Sequence, residues 1–119
     1  MEEYKLFDAE YKFIDIIWEL EPVNSTELTK ECMKRLGWKK PTTYTMIRKL
    51  SEKNLLKNEN ATITTLVKRG QVQKYESEAL LEKSFNNSLP AFLAAFLEGK
   101  KLSKKEAEEI KKMIEEASK

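Results

Sequence analysis

Five β-branched residues fall within six positions in Thr62-Ile63-Thr64-Thr65-Leu66-Val67, which marks a strand. Apolar residues elsewhere recur at helical spacing, so a short hairpin must be fitted into a chain built otherwise of helices. Two pairings are open to that strand. A turn at Asn58-Glu59-Asn60 pairs 55–57 with 62–66, whereas a turn at Arg69-Gly70 pairs 62–67 with 72–76. The first is preferred, because Val72, Tyr75/Glu76, Ala79, Leu80 and Phe85 continue as one helix from about 70 to 86.

Three helices are expected upstream. Tyr11, Ile14, Ile17 and Trp18 form a stripe on the first, from about Asp8 to Leu20, with Asp8 as its N-cap and Pro22 beyond its end. Asn24-Ser25-Thr26-Glu27 resembles a capping box for the second, which buries Leu28, Cys32 and Leu36 and stops at Gly37. The third starts at Pro41, whose missing amide is harmless there, and Asn54 suits a left-handed cap after it. Thr43, Met46, Ile47 and Leu50 share one face of this helix. The other face carries Thr42, Tyr44, Thr45, Arg48 and Lys49, preceded by Lys39 and Lys40. Three helices and a two-stranded hairpin make a winged helix-turn-helix, in which the third helix enters the major groove.

Charge points the same way. The net of +2, from 22 Lys+Arg and 20 Asp+Glu, hides a strong segregation. Residues 1–29 carry eight acids and two bases, whereas residues 30–57 carry nine bases and two acids. A basic block concentrated around one helix is the footprint of a polyanion partner. Hydroxyls and an aromatic among those cations suit double-stranded DNA, with Lys39, Lys40, Thr42, Tyr44, Thr45, Arg48 and Lys49 as the contact residues.

Catalysis is disfavoured. There is no histidine, so the commonest general base and the imidazole zinc ligand are both missing. Three glycines cannot write a phosphate-cradling loop, and the single Cys32 reads as a small buried hydrophobe. No cofactor or metal is expected. No apolar stretch approaches the ~20 residues of a membrane span, and the acidic start MEEYKLFDAE is unlike a signal peptide. The expectation is a soluble cytoplasmic protein without membrane insertion.

The last third is helical and apolar. Leu89, Phe92, Leu93, Phe96 and Leu97 recur at helical spacing. Ser103 to Glu106 forms another capping box, and Ile110, Met113, Ile114 and Ala117 make a second stripe. A winged-helix core of about 70 residues cannot cover both stripes, and an uncovered apolar face marks a partner surface. A two-fold homodimer would cover them and match a palindromic operator. The fold expected is therefore mostly α with a small β-hairpin: an N-terminal winged helix-turn-helix over 1–69 and a C-terminal helical dimerisation region over 70–119.

The ordered residues resemble a known family. Ala9-Glu10-Tyr11-Lys12-Phe13-Ile14-Asp15-Ile16-Ile17-Trp18 is similar to the helix-one signature of the bacterial penicillinase and methicillin-resistance repressors, an Ala-Glu-Trp followed by an apolar stripe to Ile-Trp. Trp38, Thr42, Thr45, Lys49, Leu50 and Lys53-Asn54-Leu55-Leu56 resemble that family's recognition helix and its exit, and the likeness continues to Phe96. The resemblance implies a cytoplasmic homodimeric repressor of operator palindromes, induced through a membrane β-lactam sensor and cleaved in its dimerisation region. The family's scissile Asn-Phe corresponds to Ala95-Phe96 here, and Tyr44 and Arg48 depart from the staphylococcal arginine and threonine. The alternative is a winged-helix module used only for protein contacts, without DNA binding.

Overall fold

Over residues 4–119, which the computed structural model describes, helices and short strands alternate and then give way to helices alone. The order is α1 (Asp8–Leu20), β1 (Val23–Asn24), α2 (Ser25–Leu36), α3 (Lys40–Glu52), β2 (Leu56–Glu59), β3 (Thr62–Thr65), α4 (Arg69–Phe85), α5 (Leu89–Leu97) and α6 (Lys104–Ala117). Met1, Glu2 and Glu3, part of the acidic N-terminal segment, lie outside the described residues. The architecture is the mostly helical winged helix-turn-helix with a helical C-terminal region that the sequence implies.

Local chemistry sets most boundaries. The cap of α1 is Phe7, not Asp8, which is already helical. A phenylalanine ring cannot accept a hydrogen bond, so the cap is completed from inside the helix: the Glu10 carboxylate accepts the Phe7 backbone N–H at 2.9 Å. Asn24 caps α2, its Oδ1 accepting the Thr26 N–H at 2.8 Å. Gly37 ends that helix at φ 70°, a left-handed conformation that favours glycine, and Asn54 adopts φ 62° after α3.

The sheet has order β1-β3-β2, with both pairings antiparallel. Glu59 lies opposite Thr62, so the wing closes in a two-residue turn at Asn60-Ala61, both at positive φ (51° and 66°). That corrects the expected turn at Asn58-Glu59-Asn60: β2 runs through Glu59, because left-handed residues match the twist of the flanking strands. The third strand, β1, was not expected. Val23 pairs with Ile63, and the Ser25 amide donates to the Ala61 carbonyl at 2.8 Å.

The chain divides into two compact units, residues 1–79 and 80–119. In the first, Phe13, Ile14, Ile17, Leu28, Cys32, Leu50, Ile63 and Val72 are fully buried, whereas Leu36, Tyr11 and Trp18 only flank the core. In the second, Ser88 caps α5 through the Ala91 N–H and Ser103 caps α6 through the Glu106 N–H, each at 3.1 Å. Phe92 stands edge-on to Phe85 and stacks on Phe96. No residue of α5 or α6 is buried.

Candidate nucleic-acid interface

Helix α3 is fixed by its inner face. Thr43, Ile47 and Leu50 are buried, and Met46 packs at the margin of the core. Trp38 stacks on Phe13 at 5.5 Å between ring centroids, which pins the turn leading from α2 into α3. With that face committed, helical geometry turns the remaining positions outward. Lys39, Lys40, Thr42, Tyr44, Thr45, Arg48 and Lys49 are all exposed. The cap residue Lys39 offers no side-chain acceptor, Pro41 has no N–H, and the Thr42 N–H donates to the Lys39 carbonyl at 3.0 Å. This end of α3 therefore draws an anion through the Lys39 and Lys40 ammonium groups rather than through open amides.

These seven residues are not equivalent. Lys39 and Arg48 form no ion pair with any described residue. Lys40 places its ammonium 5.8 Å over the Tyr44 ring. The Tyr44 hydroxyl donates to Ser25 Oγ at 3.4 Å, which ties α3 to the start of α2. That hydrogen bond and the Lys40 charge, working against partial burial, hold the phenol below its ordinary pKa. Lys49 turns back toward α1, its Nζ 3.4 Å from Glu10 Oε2.

Glu10 was not singled out by the sequence. Its side chain is 1% exposed, and Oε2 also receives Lys53 Nζ at 3.1 Å. Burial alone would raise its pKa, but the Phe7 amide, Lys53 and Lys49 together bring it below the ordinary value. The partners lie about forty residues away along the chain, so only its place in the first turn of α1 hinted at a role. Phe7 is exposed beside this cluster, with the ammonium groups of Lys5, Lys49 and Lys53 all within 6.0 Å of its ring centroid.

The wing offers less charge. Lys57 is paired with Glu59 at 3.0 Å, and Asn58, Asn60 and Thr62 are exposed and neutral. Cys32 lies in the core, where burial pushes its thiol pKa up against the pull of the Thr43 hydroxyl, and a raised pKa disfavours the reactive thiolate. Among the described residues no cluster of Cys, Asp or Glu could hold a metal ion, and no helix is long and apolar enough to cross a membrane.

On the second unit, Leu89, Phe96, Met113 and Ile114 are exposed, while Phe92, Leu93, Leu97 and Ile110 are half-buried. Glu109, Lys112, Met113, Glu116 and Ala117 line a shallow cleft on α6. Ala95 and Phe96 sit inside α5, and the Phe96 carbonyl accepts Lys100 Nζ at 2.7 Å.

Comparison with known proteins extends over nearly all of these elements. The penicillinase repressor family model matches residues 6–116. A penicillinase repressor of Bacillus licheniformis is 27% identical over 116 residues, covering 94% of this chain and 91% of the relative. The methicillin resistance regulatory protein MecI of Staphylococcus aureus is 24% identical, covering 93% of this chain and 94% of the relative. A penicillinase repressor of Staphylococcus aureus is also 24% identical, with 93% and 91% covered.

Proposed function

The chain belongs to the penicillinase repressor family, a family of transcriptional repressors rather than enzymes, and we propose that it is a cytoplasmic homodimer that represses transcription by binding a palindromic operator. In this reading residues 1–69 read DNA and residues 70–119 dimerise. Lys39, Lys40, Thr42, Tyr44, Thr45 and Arg48 form the contact surface, with Lys49 at its edge, where Glu10 engages its ammonium. The genes it controls are those of β-lactam resistance, by analogy with relatives named for penicillinase and methicillin resistance.

The observation that carries the reading is the outward row on α3. A helix held by its buried face presents three cations that form no ion pair with any described residue (Lys39, Lys40 and Arg48), two threonines and a tyrosine on one exposed side. That combination grips phosphate and reaches base edges at once. One such helix covers one half-site, so a dimer is needed to read a palindrome. Leu89, Phe92, Leu93, Phe96, Leu97, Ile110, Met113 and Ile114 supply the apolar surface for it, at about 1.5–3 kcal/mol for each large side chain fully covered.

Induction would then run through a membrane β-lactam sensor and a protease pathway acting at Ala95-Phe96. A protease needs extended backbone, so cutting there requires the nine-residue α5 to unwind first. A helix this short is marginal without packing.

Selection of bound sequences from random duplex DNA, with gel shifts at stated salt, tests the proposal. Enrichment of two inverted half-sites about one or more helical turns apart is the expected result. A chain with no salt-dependent affinity for any duplex would overturn it in favour of a protein-contact module.

A further inference from the structure

We propose that Glu10 is a specificity-determining residue, an internal counter-ion that withholds Lys49 and Lys53 from DNA and so restrains sequence-independent binding. The inference rests on the DNA-binding reading above. Glu10 Oε1 is fixed by the Phe7 amide, and Oε2 holds Lys53 and Lys49 at 3.1 and 3.4 Å. Both lysines lie at the end of α3 with half-exposed side chains, and with Lys5 they crowd around the Phe7 ring. Without the carboxylate this would be a cluster of three ammonium groups at the edge of the contact surface. Such a cluster attracts any phosphate backbone equally, because phosphate contacts carry no base information.

The burial of Glu10 is what makes the restraint effective. An exposed ion pair exchanges its partner for phosphate at little expense. A carboxylate that is 1% exposed would be left uncompensated if both lysines swung away, which is strongly unfavourable. The lysines therefore stay with Glu10 when DNA arrives, and contact falls to Lys39, Lys40 and Arg48, which form no ion pair with any described residue.

The test uses the full chain as wild type, Glu10→Gln and Glu10→Met, titrated with the selected operator and with a scrambled duplex over a salt series. Each phosphate neutralised adds about 0.9 to the slope of log affinity against log salt. Both variants are expected to bind scrambled DNA about tenfold more tightly at low salt, with a slope steeper by about one to two, and to lose operator preference. Adding Lys53→Gln to the Glu10→Gln chain should bring the slope back by about one. Methionine fills the site with an apolar side chain of similar length, so it keeps the measurement open should glutamine fail to fold. A variant that melts earlier and binds both duplexes more weakly, without a steeper slope, would show a purely structural role and overturn the proposal. Wild type that binds DNA, with unchanged slopes in the folded variants, overturns this inference alone. Wild type with no affinity for either duplex overturns the DNA-binding reading and this inference with it.

Discussion

The indole N–H of Trp18 donates to the carbonyl of Val67 at 2.9 Å, joining the last turn of α1 to the residue on which the chain leaves the sheet. Arg69, at the start of α4, lies 4.8 Å over the same indole and pairs with Asp15. One aromatic thus fixes the exit of the wing and the entry of the next helix. Trp18→Phe keeps most of the ring but leaves the Val67 carbonyl without its donor. The expected loss is about 1–3 kcal/mol of unfolding free energy, read by urea denaturation. An unchanged midpoint and slope would mean that the bond contributes nothing net.

On α3, Arg48→Ala should weaken operator binding by about 1–3 kcal/mol. Lys49→Ala should cost less, because its ammonium is already engaged by Glu10. Changing Thr42, Tyr44, Arg48 and Lys49 together to Ala should abolish sequence-specific shifts while the helical circular dichroism persists. Retained operator binding by that variant would remove α3 from the reading surface.

Acid should act through Glu10. Its carboxyl has a folded pKa below the ordinary value of about 4.3, so its contribution is fully present above that value. The contribution is lost as pH falls through the lowered one. Glu10→Gln should therefore flatten the acid side of the stability–pH curve, measured by thermal melts between neutral pH and about pH 3. Glu19, whose pairing with Arg35 lowers its pKa, leaves some acid sensitivity in place. Identical curves for the two chains would refute the coupling.

Much of this was legible beforehand because it is local. The Asn24 cap, Gly37 and Asn54 each act within a few residues, and the pairing of the wing followed from its β-branched run. The α1 stripe was legible only at Ile14 and Ile17, since Phe13 and Ile16, not Tyr11 and Trp18, complete its buried apolar face. What escaped was set by distant partners or by unlikely residue types. Val23-Asn24 is too short to alternate, and becomes a strand only because Ile63 and Thr62 lie beside it. Ala61 gives no turn signal, yet it takes a left-handed conformation. Glu10 reads as one more surface acid until Lys49 and Lys53 fold over it. The seven α3 candidates all came out exposed on one helix, although periodicity could not show that Tyr44 and Lys49 bend toward α2 and α1.

The wing turn can be improved. Ala61 holds φ 66° with a β-carbon, a conformation costing about 1–2 kcal/mol in non-glycine residues. Ala61→Gly removes that strain but loosens the unfolded chain by about 0.5–1 kcal/mol, so a net gain of about 0.5 kcal/mol is expected. Operator affinity should change little, since the tip is neutral. A fall in melting temperature would contradict the assignment of the turn.

The second unit supplies the last test. Met113 is 66% exposed on the apolar side of α6, and Met113→Asp places a charge where a partner would sit. Sedimentation should show a shift from dimer to monomer at micromolar concentration, with operator affinity reduced toward that of one half-site. Removing residues 88–119 should do the same without unfolding the first unit, because every buried apolar residue lies at or before Val72. A persistent dimer in either case would exclude this surface.

The Ala61 carbonyl, at the tip of the wing, accepts the amide of the first residue of α2. The wing tip and the start of α2 are therefore joined by backbone, independently of their side chains. A residue inserted between Ala61 and Thr62 would either slip the β1–β3 register and turn Ile63 out of the core or carry the Ala61 carbonyl away from α2. A wing transplanted from another domain would function here only if it brought a carbonyl to the same place.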